Sequence, residues 1–187
     1  MTASNDNPFP FQSHKIFPHT RFFSRSLFIG GGTSGQSALS SVELYQLGDS
    51  TSTMLPPMTQ PRVQHGCTSF TNDNGDISLI VTGGTREFEF VGGVDVCLDP
   101  LSSVETIHKS ASGWGSWNKV SNLKGGWRVS HKMVNIGRFL YITGGSTSSL
   151  EAEDSILESV DDGTTWTEST ARLTIGRNEH TALWYSE

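Results

Sequence analysis

Three short apolar runs are spaced along the chain, and each breaks off at adjacent glycines. They are Leu27-Phe28-Ile29 before Gly30-Gly31-Gly32, Leu79-Ile80-Val81-Thr82 before Gly83-Gly84, and Leu140-Tyr141-Ile142-Thr143 before Gly144-Gly145. Runs of this length and composition, bounded by glycine, predict buried strands that enter a sharp bend. Further along each cycle comes a second strand-like run: Ser41-Val42-Glu43-Leu44-Tyr45, Ser103-Val104-Glu105-Thr106-Ile107 and residues 155–160. Ser103 to Ile107 alternates inward and outward positions, as a half-buried strand does. A third signature, Arg-x-x-His, occurs as Arg62 with His65, Arg128 with His131, and Arg177 with His180. The signatures alternate with a period of about 50 to 60 residues, which predicts stacked supersecondary units.

Each cycle resolves into four strands. The middle one reads as residues 62–70, a turn at 72–76 rich in Asn, Asp and Gly, then 77–82, 103–107 and 117–120. The third reads as 132–136, a tight Gly137-Arg138 turn, 139–143, 155–160, an Asp-Gly hairpin turn at 161–164, and a strand opening at Trp166. The first gives 27–29, 41–45 and 54–58, with a degenerate opening strand at 18–23. Residues 177–185 read as the opening strand of a fourth unit. A short amphipathic helix over 149–158 competes with the strand there; the position within the cycle favours the strand. The predicted organisation is a loose leader at 1–16, units at about 17–60, 61–124 and 125–174, and the start of a fourth at 175–187.

An apolar strand, Gly31-Gly32, the 41–45 strand, Leu55-Pro56-Pro57-Met58 and then Pro61-Arg62 with His65 together resemble the Kelch repeat. The resemblance runs over roughly residues 17–185 and is strongest from Leu27 to Phe70. It implies an all-β, Kelch-type β-propeller segment of about three four-stranded antiparallel blades, an incomplete ring. Gly31, Gly32, Arg62, His65, Gly83, Gly84, Trp117, Arg128, His131, Gly144, Gly145, Trp166, Arg177 and His180 would then be the structural repeat signature. The arginines are expected to donate to carbonyls of the neighbouring blade, the histidines to serve the same joint, and the tryptophans to cover the face between blades. Three departures stand out: the first cycle has no tryptophan where Trp117 and Trp166 sit, the second carries a long insertion after Gly84, and Arg177 is not preceded by proline. Ser159-Val160-Asp161-Asp162-Gly163-Thr164-Thr165-Trp166 also resembles the Asp-box found in sialidases and other propellers. That motif implies an aspartate that caps its own turn, above a packed tryptophan.

Composition narrows the function classes. A net charge of −6 argues against a nucleic-acid surface, which needs clustered Lys and Arg. No apolar run approaches the roughly 20 residues that span a bilayer. The first ten residues lack the basic start and apolar run of a signal peptide, which favours a cytoplasmic location. The two cysteines, Cys67 and Cys97, read as buried free thiols, and no spacing suits zinc.

No catalytic constellation, cofactor site or metal site is expected. His65, His131 and His180 could be imagined as a metal triad, and Arg62, Arg128 and Arg177 as a carboxylate-gripping triad. Both sets sit at equivalent repeat positions, which argues for packing. Asp161 and Asp162 lie on a solvated turn, and Glu43 and Glu105 read as surface or interblade groups. The insertion after Gly84 is not repeat-like; its Arg86, Glu87, Phe88, Glu89 and Phe90 form the candidate partner-binding loop. The expected role is a non-catalytic protein-interaction scaffold with an unidentified protein partner. The alternative is a propeller enzyme, sialidase-like or, with less support, a galactose-oxidase-like copper oxidase. Three blades leave two open faces, so pairing with another copy or further blades in a longer chain is also expected.

Overall fold

The computed structural model describes residues 26–34, 37–48, 51–72, 75–92, 94–148 and 151–185, and among these every regular element is a strand. In chain order these are β1 (Ser26–Gly30), β2 (Thr33–Ser34), β3 (Ser37–Ala38), β4 (Val42–Gln46), β5 (Ser52–Leu55), β6 (Gly66–Thr71), β7 (Ile77–Thr82), β8 (Phe88–Val91), β9 (Val94–Cys97) and β10 (Ser103–Ser110). They continue with β11 (Gly113–Trp114), β12 (Asn118–Asn122), β13 (Lys132–Ile136), β14 (Phe139–Thr143), β15 (Ser155–Ser159) and β16 (Thr167–Arg172). The leader and the degenerate strand at 18–23 lie outside the described residues.

All pairings are antiparallel and mostly sequential. The first sheet runs β1-β4-β5, the second β6-β7-β10 with β11 and β12 both on β10, and the third β13-β14-β15-β16. The second strand of each sheet sits centrally where a first strand is present: β7 lies between β6 and β10, and β14 between β13 and β15. The second and third apolar runs therefore form strands with neighbours on both sides. From Ser78 to Thr82 every residue of β7 is buried. The helix alternative over 149–158 fails, because β15 occupies 155–159 in register with β14. Residues 177–185 are not a strand: no partner strand lies beside them among the described residues.

Two apolar layers join the three sheets. Between the first and second lie Phe28, Val42, Leu44, Leu55 and Met58 against Leu79, Val81, Ile107 and Trp117. Between the second and third lie Phe70, Ile80, Val104 and Leu123 against Met133, Leu140, Ile142, Leu157 and Trp166. Strand alternation explains the division, since adjacent residues of β7 face opposite ways: Leu79 and Val81 backward, Ile80 forward. Fully burying one such aliphatic side chain stabilises the fold by about 1.5–3 kcal/mol. The same alternation places Leu27 and Ile29, the equivalents of Leu79 and Val81, on the backward face of the first sheet. They are 59% and 52% exposed, against 3% and 0% for their counterparts.

Between the second and third strands of each sheet the chain makes a hairpin at the glycine end. β2 and β3 form it in the first, β8 and β9 in the second, and an isolated Ser146–Ala152 bridge in the third. The long excursion after Gly84 is thus a two-stranded ribbon rather than a loose loop.

Candidate functional site

The glycine pairs and the Arg-x-x-His segments meet at the joints between sheets. Gly31, Gly83 and Gly144 have φ of 66°, 57° and 57°, in the left-handed region that glycine adopts without penalty. A Cβ at each would strike the backbone carbonyl of Arg62, Arg128 or Arg177 and the ring of His65, His131 or His180. The next glycine donates its N–H to the same carbonyl: Gly32 to Arg62 at 2.9 Å, Gly84 to Arg128 at 2.9 Å and Gly145 to Arg177 at 2.7 Å. Each joint therefore uses two glycines: the first for close approach, the second because its backbone, at φ of 89°, 86° and 92°, is again in the region glycine adopts without penalty.

The histidine closes the joint. His131 Nε2 shares a 2.8 Å hydrogen bond with Thr82 Oγ1, and His180 Nε2 a 2.8 Å bond with Thr143 Oγ1. Gly30 stands at the equivalent position of the first sheet, where its backbone bonds His65. Among the described residues, Nδ1 of all three rings is buried without a hydrogen-bond partner. Burial pushes His65 down to about 4, with the Arg62 cation adding to the effect. Burial and Arg128 push His131 down to about 3. His180 is lowered too, by burial and by Lys132 and Arg177. These are neutral imidazoles that pack and hydrogen-bond across sheets.

The arginine side chains do something other than expected. The guanidinia of Arg62 and Arg128 tie their own sheet, and it is the main chain that bridges to the sheet before: each arginine's carbonyl accepts from the second glycine, and its N–H donates to the carbonyl of Leu39, Leu101 or Glu153. Arg62 Nη1 donates to Gly83 O at 2.8 Å, and Nη2 donates to Ser103 Oγ at 3.1 Å and to Glu105, with which it forms a fully buried ion pair. Glu105 also accepts the Thr59 N–H at 2.8 Å, so it is no surface group. Arg128 repeats the pattern with Gly144 O at 2.9 Å and Ser155 Oγ at 2.8 Å, while Leu157 takes the place of Glu105. Arg177 differs from both: it is exposed, and its Nε donates to Ile175 O nearby.

A further set of joint residues carries no mark in the sequence. Gln64, Ser130 and Glu179 each precede the histidine, and each has positive φ, 57°, 56° and 52°. Ser130 N–H donates to Gln64 O at 2.8 Å and Glu179 N–H to Ser130 O at 2.9 Å, a main-chain line that passes from sheet to sheet. Nothing in their side chains announces a left-handed backbone; the constant spacing between arginine and histidine was the available signal.

The tryptophans sit between sheets. Trp117 Nε1 donates to Pro56 O of the first sheet's exit at 2.9 Å, and Trp166 is buried over its own turn, donating to Gly163 O at 3.1 Å. In that turn Asp161 Oδ1 accepts from Thr165 N at 2.9 Å and from Ser159 Oγ at 2.8 Å. Burial works against the Asp161 carboxylate, but the bonds from Thr165 and Ser159 prevail and lower its pKa.

The candidate loop residues lie together at the base and along the ribbon. Arg86 pairs with Asp99 at 2.5 Å across the base, where the Arg86 N–H also donates to Asp99 O at 3.0 Å. Glu87 and Glu89 are exposed, Phe88 is half-buried, and Phe90 lies on β8. Val91, Val96 and Leu98 expose aliphatic surface along the same ribbon. Cys97 is half-buried and its Sγ donates to Gln64 Oε1 at 3.2 Å, fixing the ribbon to the joint. Cys67 is exposed, a correction to the expectation that both thiols are buried. It lines a cleft of about 420 Å³ between β1 and β6, bordered by Phe28, Ser69, Leu79 and Trp114. Among the described residues no group of three His, Cys, Asp or Glu is placed to hold a metal ion, and no helix is long and apolar enough to cross a membrane.

No family model matches the chain, and no curated protein matches it. A solved structure titled "Structure of YjhT" is similar at a TM-score of 0.46 and 14% identity. The likeness covers 66% of this chain, and this chain spans 31% of that one.

Proposed function

We propose that the chain is a Kelch-type β-propeller segment and that it works as a non-catalytic protein-interaction module, with the β8–β9 ribbon as its contact element. The threefold recurrence of one joint, with equivalent glycine, arginine carbonyl and histidine each time, supports the blade reading. The ribbon carries the functional reading. It projects from the glycine end of the second sheet, is anchored at its base by Arg86 and Asp99, and offers Val91, Val96 and Leu98 beside the charged Glu87 and Glu89. A rigid ribbon with exposed aliphatic positions and a charged rim suits a protein surface, because its shape is set before binding. The enzymatic reading draws less support. The guanidinia of Arg62 and Arg128 are buried and their Nη groups donate within the protein, so neither is offered to a substrate carboxylate.

A photo-crosslinker placed at Glu89 tests the proposal, with one at Ser112, on the turn at the far end of β10, as control. In extract from the source cells, discrete protein adducts from position 89 but not from 112 are expected. Equal labelling from both positions, or none from either, would overturn the ribbon as a contact element. Turnover of a fluorogenic sialoside that disappears in Arg128→Ala would overturn the non-catalytic reading. Copper-dependent alcohol oxidation would do the same.

A further inference from the structure

We infer that two copies of this chain associate by strand exchange, each lending residues 181–185 to the outer edge of the other's β1. The ring this would close rests on the propeller reading above; the strand exchange does not. After His65 the chain enters β6, which pairs with β7, and after His131 it enters β13, which pairs with β14. His180 is seated on Thr143, and Gly145 on the Arg177 carbonyl, as in the other two joints. The chain therefore leaves His180 as it leaves the others, into Thr181-Ala182-Leu183-Trp184-Tyr185. That segment favours a strand yet has no partner among the described residues. Leu183, Trp184 and Tyr185 are 86%, 55% and 77% exposed.

The missing partner has a counterpart in the first sheet. β1 is the equivalent of β7 and β14, but among the described residues it has β4 on one side and no strand on the other. Transferring the registers Gly66 with Thr82 and Lys132 with Thr143 sets Thr181 opposite Gly30. Ala182 then faces Ile29, Leu183 faces Phe28, Trp184 faces Leu27 and Tyr185 faces Ser26. Paired residues share a sheet face. Leu183 and Tyr185 thus enter the 420 Å³ cleft beside Phe28, Cys67 and Ser69. Trp184 covers Leu27, and the forward face of the donor's third sheet, with Phe139 and Tyr141, comes against Leu27 and Ile29. Gly32 fits the same scheme. Its equivalents Gly84 and Gly145 lie against the residue-63 or residue-129 carbonyl and the following histidine, whereas Gly32 has nothing within 4 Å among the described residues. Asn178 and His180 of a second copy would occupy that place.

The exchange is two-fold symmetric, each copy giving one strand and receiving one. It joins the three described blade sheets of one copy to the three of the other, inside the range of about 4 to 8 blades in which propellers close.

The test is mass and register together. Light scattering of the full chain is expected to give about twice 20.4 kDa, and Leu183→Asp to weaken association at least tenfold with an unchanged far-UV spectrum. In a Cys67→Ser, Cys97→Ser background, Leu27→Cys with Trp184→Cys should oxidise to a covalent dimer. A monomeric wild type, a disulfide within one chain, or a dimer with no 27–184 bridge would each overturn the exchange. Residues 17–25 taking the β1 edge in the same chain would produce the first of these results. A bridged dimer whose particle images lack a radial outline would leave the exchange standing and sink the propeller reading instead.

Discussion

Acidification should loosen this protein through its buried histidines. His65 and His131 have folded-state pKa values of about 4 and about 3, well under the ordinary 6.5. Between those limits the unfolded chain holds a proton on each ring that the folded chain refuses, so stability rises with pH and falls on acidification. Their contribution is complete above about pH 6.5 and is lost as pH drops through the folded values. At 1.36 kcal/mol per pH unit, His131 forfeits about 5 kcal/mol and His65 about 3 kcal/mol over the whole window. While both are in the window the slope is about 3 kcal/mol per pH unit, against a total stability of about 5–15 kcal/mol. Asp161, whose pKa is lowered from 3.8, acts only below this range and in the same direction. Urea unfolding followed by tryptophan fluorescence at successive pH values measures the slope. His131→Gln keeps an amide that can reach Thr82 but cannot titrate, so it should remove about half of the slope while costing about 1 kcal/mol near neutrality. A flat profile between about pH 6 and pH 4.5, or an unaltered slope in the variant, would refute the account.

Three further outcomes follow from the joints. Glu105→Leu strands the buried Arg62 cation and should cost about 3–5 kcal/mol, whereas adding Arg62→Met should restore most of it; equal losses in a urea titration would count against the buried pair. Gly83→Ala forces a side chain into left-handed backbone against the Arg128 carbonyl and should cost about 2 kcal/mol or more, so a melting temperature within a degree of wild type would contradict the joint geometry. Ser130→Gly, relieving φ of 56°, should gain up to about 1 kcal/mol while Ser130→Val loses stability, and a reversed order would show that the backbone there is not left-handed.

The strands were legible in the sequence because their pattern is local. β7 occupies the predicted 77–82, β14 the predicted 139–143 and β13 the predicted 132–136. Alternation and glycine stops are properties of neighbouring residues, and they survive without tertiary context. What depends on distant partners was less legible. Glu105 reads as a surface or an interblade carboxylate until Arg62, 43 positions earlier, is folded against it. Arg177 matches Arg62 and Arg128 in sequence but stays exposed, since the partners of the first two lie on the strands of their own sheets. The ribbon after Gly84 reads as polar excursion because short two-stranded elements carry too few alternating positions to register. Gln64, Ser130 and Glu179 share no side-chain property, so only coordinates reveal their common conformation.

The line of peptide bonds through Gln64, Ser130 and Glu179 sets the pitch of the stack in main-chain atoms. Side-chain turnover in the wedges between sheets can therefore proceed without changing the angle at which one sheet follows another. Leu157 standing where its neighbour has a charged residue is an instance already present. Such a scaffold tolerates drift in its filling and lengthening of its rim hairpins, but not a side chain at Gly31, Gly83 or Gly144, where adjacent layers touch.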